Sequence, residues 1–156
     1  MTTPANYIVV GYTTSDHLLI DLDLCGWLKA QKIARQIMQD YPDVGDCLIA
    51  ESSPHHYHLV YDDGLTWGRI VHIIETLAEL QIVEDKYLSV RKFRRDLTLR
   101  VSEKTGAVRY HPAPRPRLII QSCHKCNQRK GIRAYLNVLR AFAEANYDRI
   151  PKEVLD

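Results

Sequence analysis

The apolar run Leu18–Leu24 most constrains the fold, because two acidic residues interrupt it at a spacing of two. Side chains alternate between the two faces of a β-strand, so a strand here puts Asp21 and Asp23 on one face. The apolar residues around them, with Leu24, then fill the other face. Two like charges this close are costly unless a cation offsets their repulsion, and carboxylate oxygens favour magnesium or manganese. The alternative is an ordinary polar face of a surface strand.

Length and composition favour a single globular domain spanning residues 1–156. The chain has 156 residues, of which 46% are hydrophobic and 26% are charged, which is typical of a folded protein rather than a disordered or fibrous one. No apolar run is long enough to span a membrane, and residues 1–6 lack the basic start and apolar stretch of a signal peptide. We therefore expect a cytoplasmic protein with no membrane partner.

The net charge of +2 hides an asymmetry along the chain. Residues 1–64 carry three Lys or Arg against nine Asp or Glu, a local charge of −6. Residues 91–133 carry thirteen Lys or Arg against two acids, a local charge of +11. A segment this basic indicates a polyanionic partner.

Hydrophobic periodicity predicts an α+β fold in which a mixed, largely antiparallel sheet is flanked by helices. Helical spacing begins at Trp27, at Trp67 after the N-cap Thr66, and over residues 131–146. A basic, proline-rich loop is predicted over residues 107–117. Strands are predicted over residues 7–12, with 18–24 as its hairpin partner, and over 56–61, 87–93, 97–101 and 118–121.

A second cluster of polar residues follows the turn at Ser52-Ser53-Pro54. Three histidines occur within four positions, and a strand from His56 onward puts His56 and His58 on one face. A single histidine on a strand is usually structural, whereas this density beside small residues favours a site for phosphate or metal.

Together, Asp21-Leu22-Asp23 and Ser53-Pro54-His55-His56-Tyr57-His58 resemble the motifs of the archaeo-eukaryotic primase superfamily, and the stretch ESSPHHYHLVYDD is most similar to plasmid and viral replication primases. The resemblance covers roughly residues 5–105. It implies a primase-polymerase core with an RRM-like half, in which Asp21 and Asp23 hold Mg²⁺ or Mn²⁺. It also implies that His58, with Ser53 and His56, contacts the nucleoside triphosphate.

The resemblance requires a third acidic residue, for which the sequence offers two candidates. Asp85 follows a hydrophobic pair after the second predicted helix, and Asp96 is its competitor. Arg100 and Lys104 match the family's basic segment beside the site and would grip phosphates. The implied reaction is template-dependent nucleotidyl transfer on single-stranded DNA or RNA, with a helicase or other replication proteins as possible partners.

Basic residues of the second half are candidates for contacting the nucleic acid. Irregular basic segments with an aromatic residue suit the tracking of a single-stranded backbone. An ordinary solvated face is the alternative for any one of them. The candidates are Arg91, Lys92, Arg94, Arg95, Arg115 and Arg117.

Three alternatives remain open. His56-Tyr57-His58 also resembles the His-hydrophobe-His motif of rolling-circle nickases, with Tyr87 as the attacking tyrosine. The second alternative is a non-catalytic nucleic-acid-binding protein of the replication machinery. Cys123 and Cys126 have the spacing of half a zinc site, for which His111, Cys25 and Cys47 are distant candidate ligands.

Overall fold

The computed structural model describes residues 11–83, 95–101, 113–122 and 129–145, which form six strands and three α-helices. The predicted α+β class with a largely antiparallel sheet flanked by helices is confirmed. In chain order the elements are β1 Gly11–Thr14, β2 Leu19–Leu22, α1 Trp27–Asp40, a short 3-10 helix Pro42–Val44, β3 Cys47–Ser53, β4 His56–Tyr61, α2 Trp67–Glu79, β5 Leu97–Arg100, β6 Arg115–Ile120 and α3 Lys130–Ala145.

The strands form a four-stranded sheet in the order β2-β4-β3-β6 and a two-stranded sheet of β1 and β5. All paired neighbours are antiparallel. Because β2 and β3 are both antiparallel to β4, they run parallel to each other, and α1 connects them across the sheet. This is the split β-α-β arrangement, in which a later strand lies between two parallel ones. It places the end of β2 next to the start of β4.

The predicted hairpin between the first two strands is wrong. Strand β1 pairs with β5, with Gly11 opposite Arg100, and β2 pairs with β4, with Leu19 opposite Val60. The connection between β1 and β2 is tied to another part of the chain, since the carbonyl of Asp16 accepts a hydrogen bond from the Leu65 N–H at 2.7 Å. Strand β2 is buried at nearly every position, and its neighbour β4 is buried to the same degree.

Two further predictions need correction. The loop predicted over 107–117 ends earlier, because residues 115–117 belong to β6; residues 107–112 lie outside the described ranges. Pro116 is tolerated because β6 is an edge strand and its register with β3 shifts next to Ala50. Leu24 does not fill the buried face: it is 86% exposed and has a φ of 52°.

Helices α1 and α3 pack on opposite faces of the four-stranded sheet. Along β4 the side chains alternate, so Tyr61 and His58 point in opposite directions. The Tyr61 hydroxyl donates to the carbonyl of Ala34 in α1 at 3.0 Å, whereas His58 is bonded to Tyr135 of α3. The face toward α3 therefore carries the predicted histidines.

Helix α2 begins at its predicted N-cap. The Thr66 side chain accepts a hydrogen bond from the Arg69 N–H at 3.2 Å, which satisfies a backbone donor that has no partner within the helix. Of the helices in the described ranges, none combines the length and the apolar character needed to cross a membrane.

Candidate acid and histidine site

The two acids of β2 and the two histidines of β4 meet on the same face of the sheet. Asp21 lies opposite His58 in the strand register, and its Oδ1 is 4.0 Å from Nε2 of His58. Oδ1 of Asp23, just past the end of β2, is 2.8 Å from Nδ1 of His56. A carboxylate only accepts hydrogen bonds, so His56 donates from Nδ1. The two predicted motifs therefore form one cluster of two acid–histidine pairs.

The backbone on either side of this cluster is held in an unusual conformation. Leu24 follows Asp23 with a φ of 52°, and His55 precedes His56 with a φ of 65°. The left-handed region costs a residue with a side chain about 1–2 kcal/mol, and such residues cluster at functional sites. The Cys25 N–H donates to the carbonyl of His55 at 2.8 Å. The end of β2 is thereby tied to the turn between β3 and β4, which fixes the Asp23–His56 pair.

The two pairs differ in their access to solvent. Asp21, Asp23 and His56 are each about one-third exposed, whereas His58 is 3% exposed. Burial, together with the nearby charge of Arg100, lowers the pKa of His58 from 6.5 to about 4, while the charge of Asp23 opposes the shift. At neutral pH the His58 imidazole is therefore uncharged, and it acts through hydrogen bonds rather than as a cation.

Tyr135 belongs to the cluster and was missed as a site residue by sequence reasoning, because it lies within the helix predicted over residues 131–146. Its hydroxyl lies 2.8 Å from Nδ1 of His58, and its side chain is fully buried. Burial, with a smaller contribution from the charge of Asp21, raises the pKa of Tyr135, so the hydroxyl keeps its proton. The one sequence signal that could have identified Tyr135 was its hydroxyl group within an apolar helical stripe.

The third acidic ligand is not found among the described residues. Arg100 ends β5 and acts electrostatically on His58, whereas Asp96 precedes that strand. Asp85 lies outside the described ranges. Within those ranges no group of three or more His, Cys, Asp or Glu is arranged to hold a metal ion, so a magnesium or manganese site stays a prediction.

Only some of the residues predicted to contact a nucleotide or nucleic acid lie within the described ranges. Ser53 ends β3 and lies opposite His56 in the strand register. Arg115 and Arg117 each approach Glu51 at 3.3 Å, and Arg117 also lies over the Trp27 ring at 4.6 Å. These two arginines therefore have partners within the fold. Arg95 is exposed. The remaining predicted ligands, Arg91, Lys92, Arg94 and Lys104, lie outside the described ranges.

The zinc and nickase alternatives depend on residues that the structure does not describe. Cys123, Cys126, His111 and Tyr87 all lie outside the described ranges. Cys25 and Cys47 are buried thiols, and burial raises the pKa of Cys47 to about 12, which keeps it protonated and disfavours metal ligation. A nickase needs both histidines on one metal, whereas here each histidine faces a different acid.

Comparison with protein-family models, with curated proteins and with solved structures found no match to this chain.

Proposed function

We propose that this protein is a nucleotidyltransferase that adds nucleotides to a nucleic-acid chain on a template, with Asp21 and Asp23 at its active site. One observation carries the proposal: the acids of β2 lie beside the histidines of β4 on one face, although about 35 residues separate the two motifs. The resemblance to primase-polymerases links these same two motifs, and the split β-α-β arrangement supports it.

The two carboxylates are ligands of the type that divalent metal ions prefer. Asp21 and Asp23 are partly exposed, lie two residues apart, and offer hard oxygen ligands. These two carboxylates would hold Mg²⁺ or Mn²⁺, with Asp85 as the third candidate. The chemistry supplied by such ions is activation of the attacking 3′-hydroxyl and neutralisation of charge on the leaving pyrophosphate.

The other residues of the cluster orient the carboxylates. His56 holds one oxygen of Asp23 through its Nδ1–H, and metal-binding carboxylates are commonly fixed by hydrogen bonds of this kind. Arg100 is exposed and brings positive charge to the same region, where it suits the phosphates of an incoming nucleotide. The protein thus contributes position and electrostatic field, the two effects on which phosphoryl transfer mainly depends.

A template-dependent incorporation assay tests this proposal. Purified protein is given a primed or unprimed single-stranded template, labelled ribo- or deoxynucleoside triphosphates, and Mg²⁺ or Mn²⁺. Asp21→Asn and Asp23→Asn should each lower incorporation by at least about 100-fold, the scale expected when a transition-state charge contact is lost. Asp40→Asn is the matched control, because it removes an exposed carboxylate at the end of α1.

Two results would refute the proposal. Undiminished incorporation by both site variants would remove Asp21 and Asp23 from the active site. Template binding by the wild-type chain without any incorporation, under both metals, would instead support the non-catalytic replication protein.

A further inference from the structure

Side chains from three distant parts of the chain contact one another in series, from a tyrosine of α3 through a histidine of β4 to an acid of β2. The Tyr135 hydroxyl of α3 is 2.8 Å from Nδ1 of His58, and Nε2 on the other side of that imidazole faces Oδ1 of Asp21 at 4.0 Å. The Tyr135 ring is itself held by an edge contact with Tyr12 of β1, with 5.8 Å between ring centroids. The position of the tyrosine is therefore fixed by packing.

We infer that Tyr135 is a positioning residue, whose hydroxyl donates to Nδ1 of His58 and so holds the imidazole as the tautomer with its proton on Nε2, directed at Asp21. The functional part of this inference rests on the proposed nucleotidyl transfer. The hydrogen-bonding part rests on the geometry alone.

The direction of the hydrogen bond follows from what faces the other ring nitrogen. A neutral imidazole carries one proton, so one nitrogen donates and the other accepts. If Nδ1 donated to Tyr135, the lone pair on Nε2 would point toward the carboxylate of Asp21, and the two would repel each other. If Tyr135 donates, an N–H on Nε2 faces that carboxylate instead, which is attractive. The 3% exposure of His58 agrees with a neutral ring, because burial disfavours the charged form.

The consequence for the site concerns the orientation of Asp21. A separation of 4.0 Å is longer than a direct hydrogen bond, so Nε2–H acts on the carboxylate through its dipole. A single tautomer presents that dipole with one sign, whereas a mixture would present a donor part of the time and a lone pair the rest. Partners that fix the tautomer of an active-site histidine tune the groups it faces in this way.

Nitrogen NMR of the full chain, labelled with ¹⁵N-histidine and kept free of metal at neutral pH, tests the inference. Correlation spectra of the imidazole should show His58 in the wild type with a protonated Nε2 and an unprotonated Nδ1. In Tyr135→Phe the shift of Nδ1 should move to that of an unprotonated nitrogen that accepts no hydrogen bond, because the donor to its lone pair is gone. Tyr61→Phe is the matched control, since it also removes a buried hydroxyl from the core but on the opposite face; the His58 shifts should not change there.

Activity provides the second measurement. Tyr135→Phe should lower the incorporation rate by about 10-fold or more, as is typical when a group that orients a ligand is lost, whereas Tyr61→Phe should keep the wild-type rate. A wild-type His58 protonated on Nδ1 would overturn the inference even if no variant folds, and so would unchanged shifts in Tyr135→Phe. If the shifts behave as expected while the wild type incorporates no nucleotide, the proposed function fails and the tautomer assignment stands.

Discussion

Acidification should destabilise this protein through His58. The pKa of the buried imidazole is about 4 in the folded state, whereas the ordinary value of 6.5 applies when the chain unfolds. Between these values the unfolded state binds more protons, so the free energy of unfolding falls as pH falls. The contribution of His58 to the free energy of unfolding is fully present above about pH 6.5 and is lost as the pH falls toward 4. At about 1.4 kcal/mol per pKa unit the total loss from this group is about 3 kcal/mol, of which about 2 kcal/mol is lost by about pH 5.

Urea unfolding followed by tryptophan fluorescence measures this loss at about pH 7.5 and about pH 5. His58→Asn removes the titrating group while its side-chain oxygen can still accept from Tyr135. Its stability should therefore fall by about 2 kcal/mol less than that of the wild type over this interval. His72→Asn, an exposed position on α2, is the matched control and should follow the wild type. Equal losses in the wild type and His58→Asn would refute the reasoning.

Two further predictions concern the backbone and the surface. Gly45 has φ 80° and ψ −154°, a region open essentially to glycine alone, and a Cβ there would clash with the side chain of Asp63. Gly45→Ala should therefore lower the free energy of unfolding by at least about 2 kcal/mol in chemical denaturation. An unfolding midpoint equal to that of the wild type would contradict this backbone geometry. Arg117→Ala removes the contact with the Trp27 ring, so it should lower the free energy of unfolding by about 1 kcal/mol and change the tryptophan fluorescence. If neither the stability nor the fluorescence changes, the arginine is not held on the ring.

The elements that the sequence predicted correctly are those set by local periodicity. Helix α2 begins after Thr66 as expected, and β4 has the predicted bounds. Strand pairing was beyond this reasoning, because alternation along one strand says which face is buried and nothing about the neighbour. Strand β1 therefore received the nearest apolar strand as its predicted partner, whereas its true partner begins at Leu97.

The residues of the candidate site, too, were predicted only where local spacing decides their position. Spacing alone puts Asp21 and Asp23 on one face of their strand and His56 and His58 on one face of theirs. The pairing of β2 with β4 then brings the four residues together on the same face of the sheet. Tyr135 could not be assigned in advance, because an inward-facing tyrosine of an amphipathic helix is usually a core residue. Its role depends on which residue of the sheet lies beneath it, and that is decided by how α3 packs.

The repulsion between Asp21 and Asp23 has a second solution besides a cation. Each carboxylate faces its own histidine, at 4.0 Å and 2.8 Å respectively, so the fold does not need a metal to tolerate both charges. This does not exclude ligation, because a carboxylate has two oxygens and the bond from His56 uses only Oδ1 of Asp23. The histidine partners instead leave the acids oriented and one-third exposed before any ion arrives. In the proposed phosphoryl transfer, Asp21 and Asp23 would hold Mg²⁺ that arrives together with the substrate phosphates.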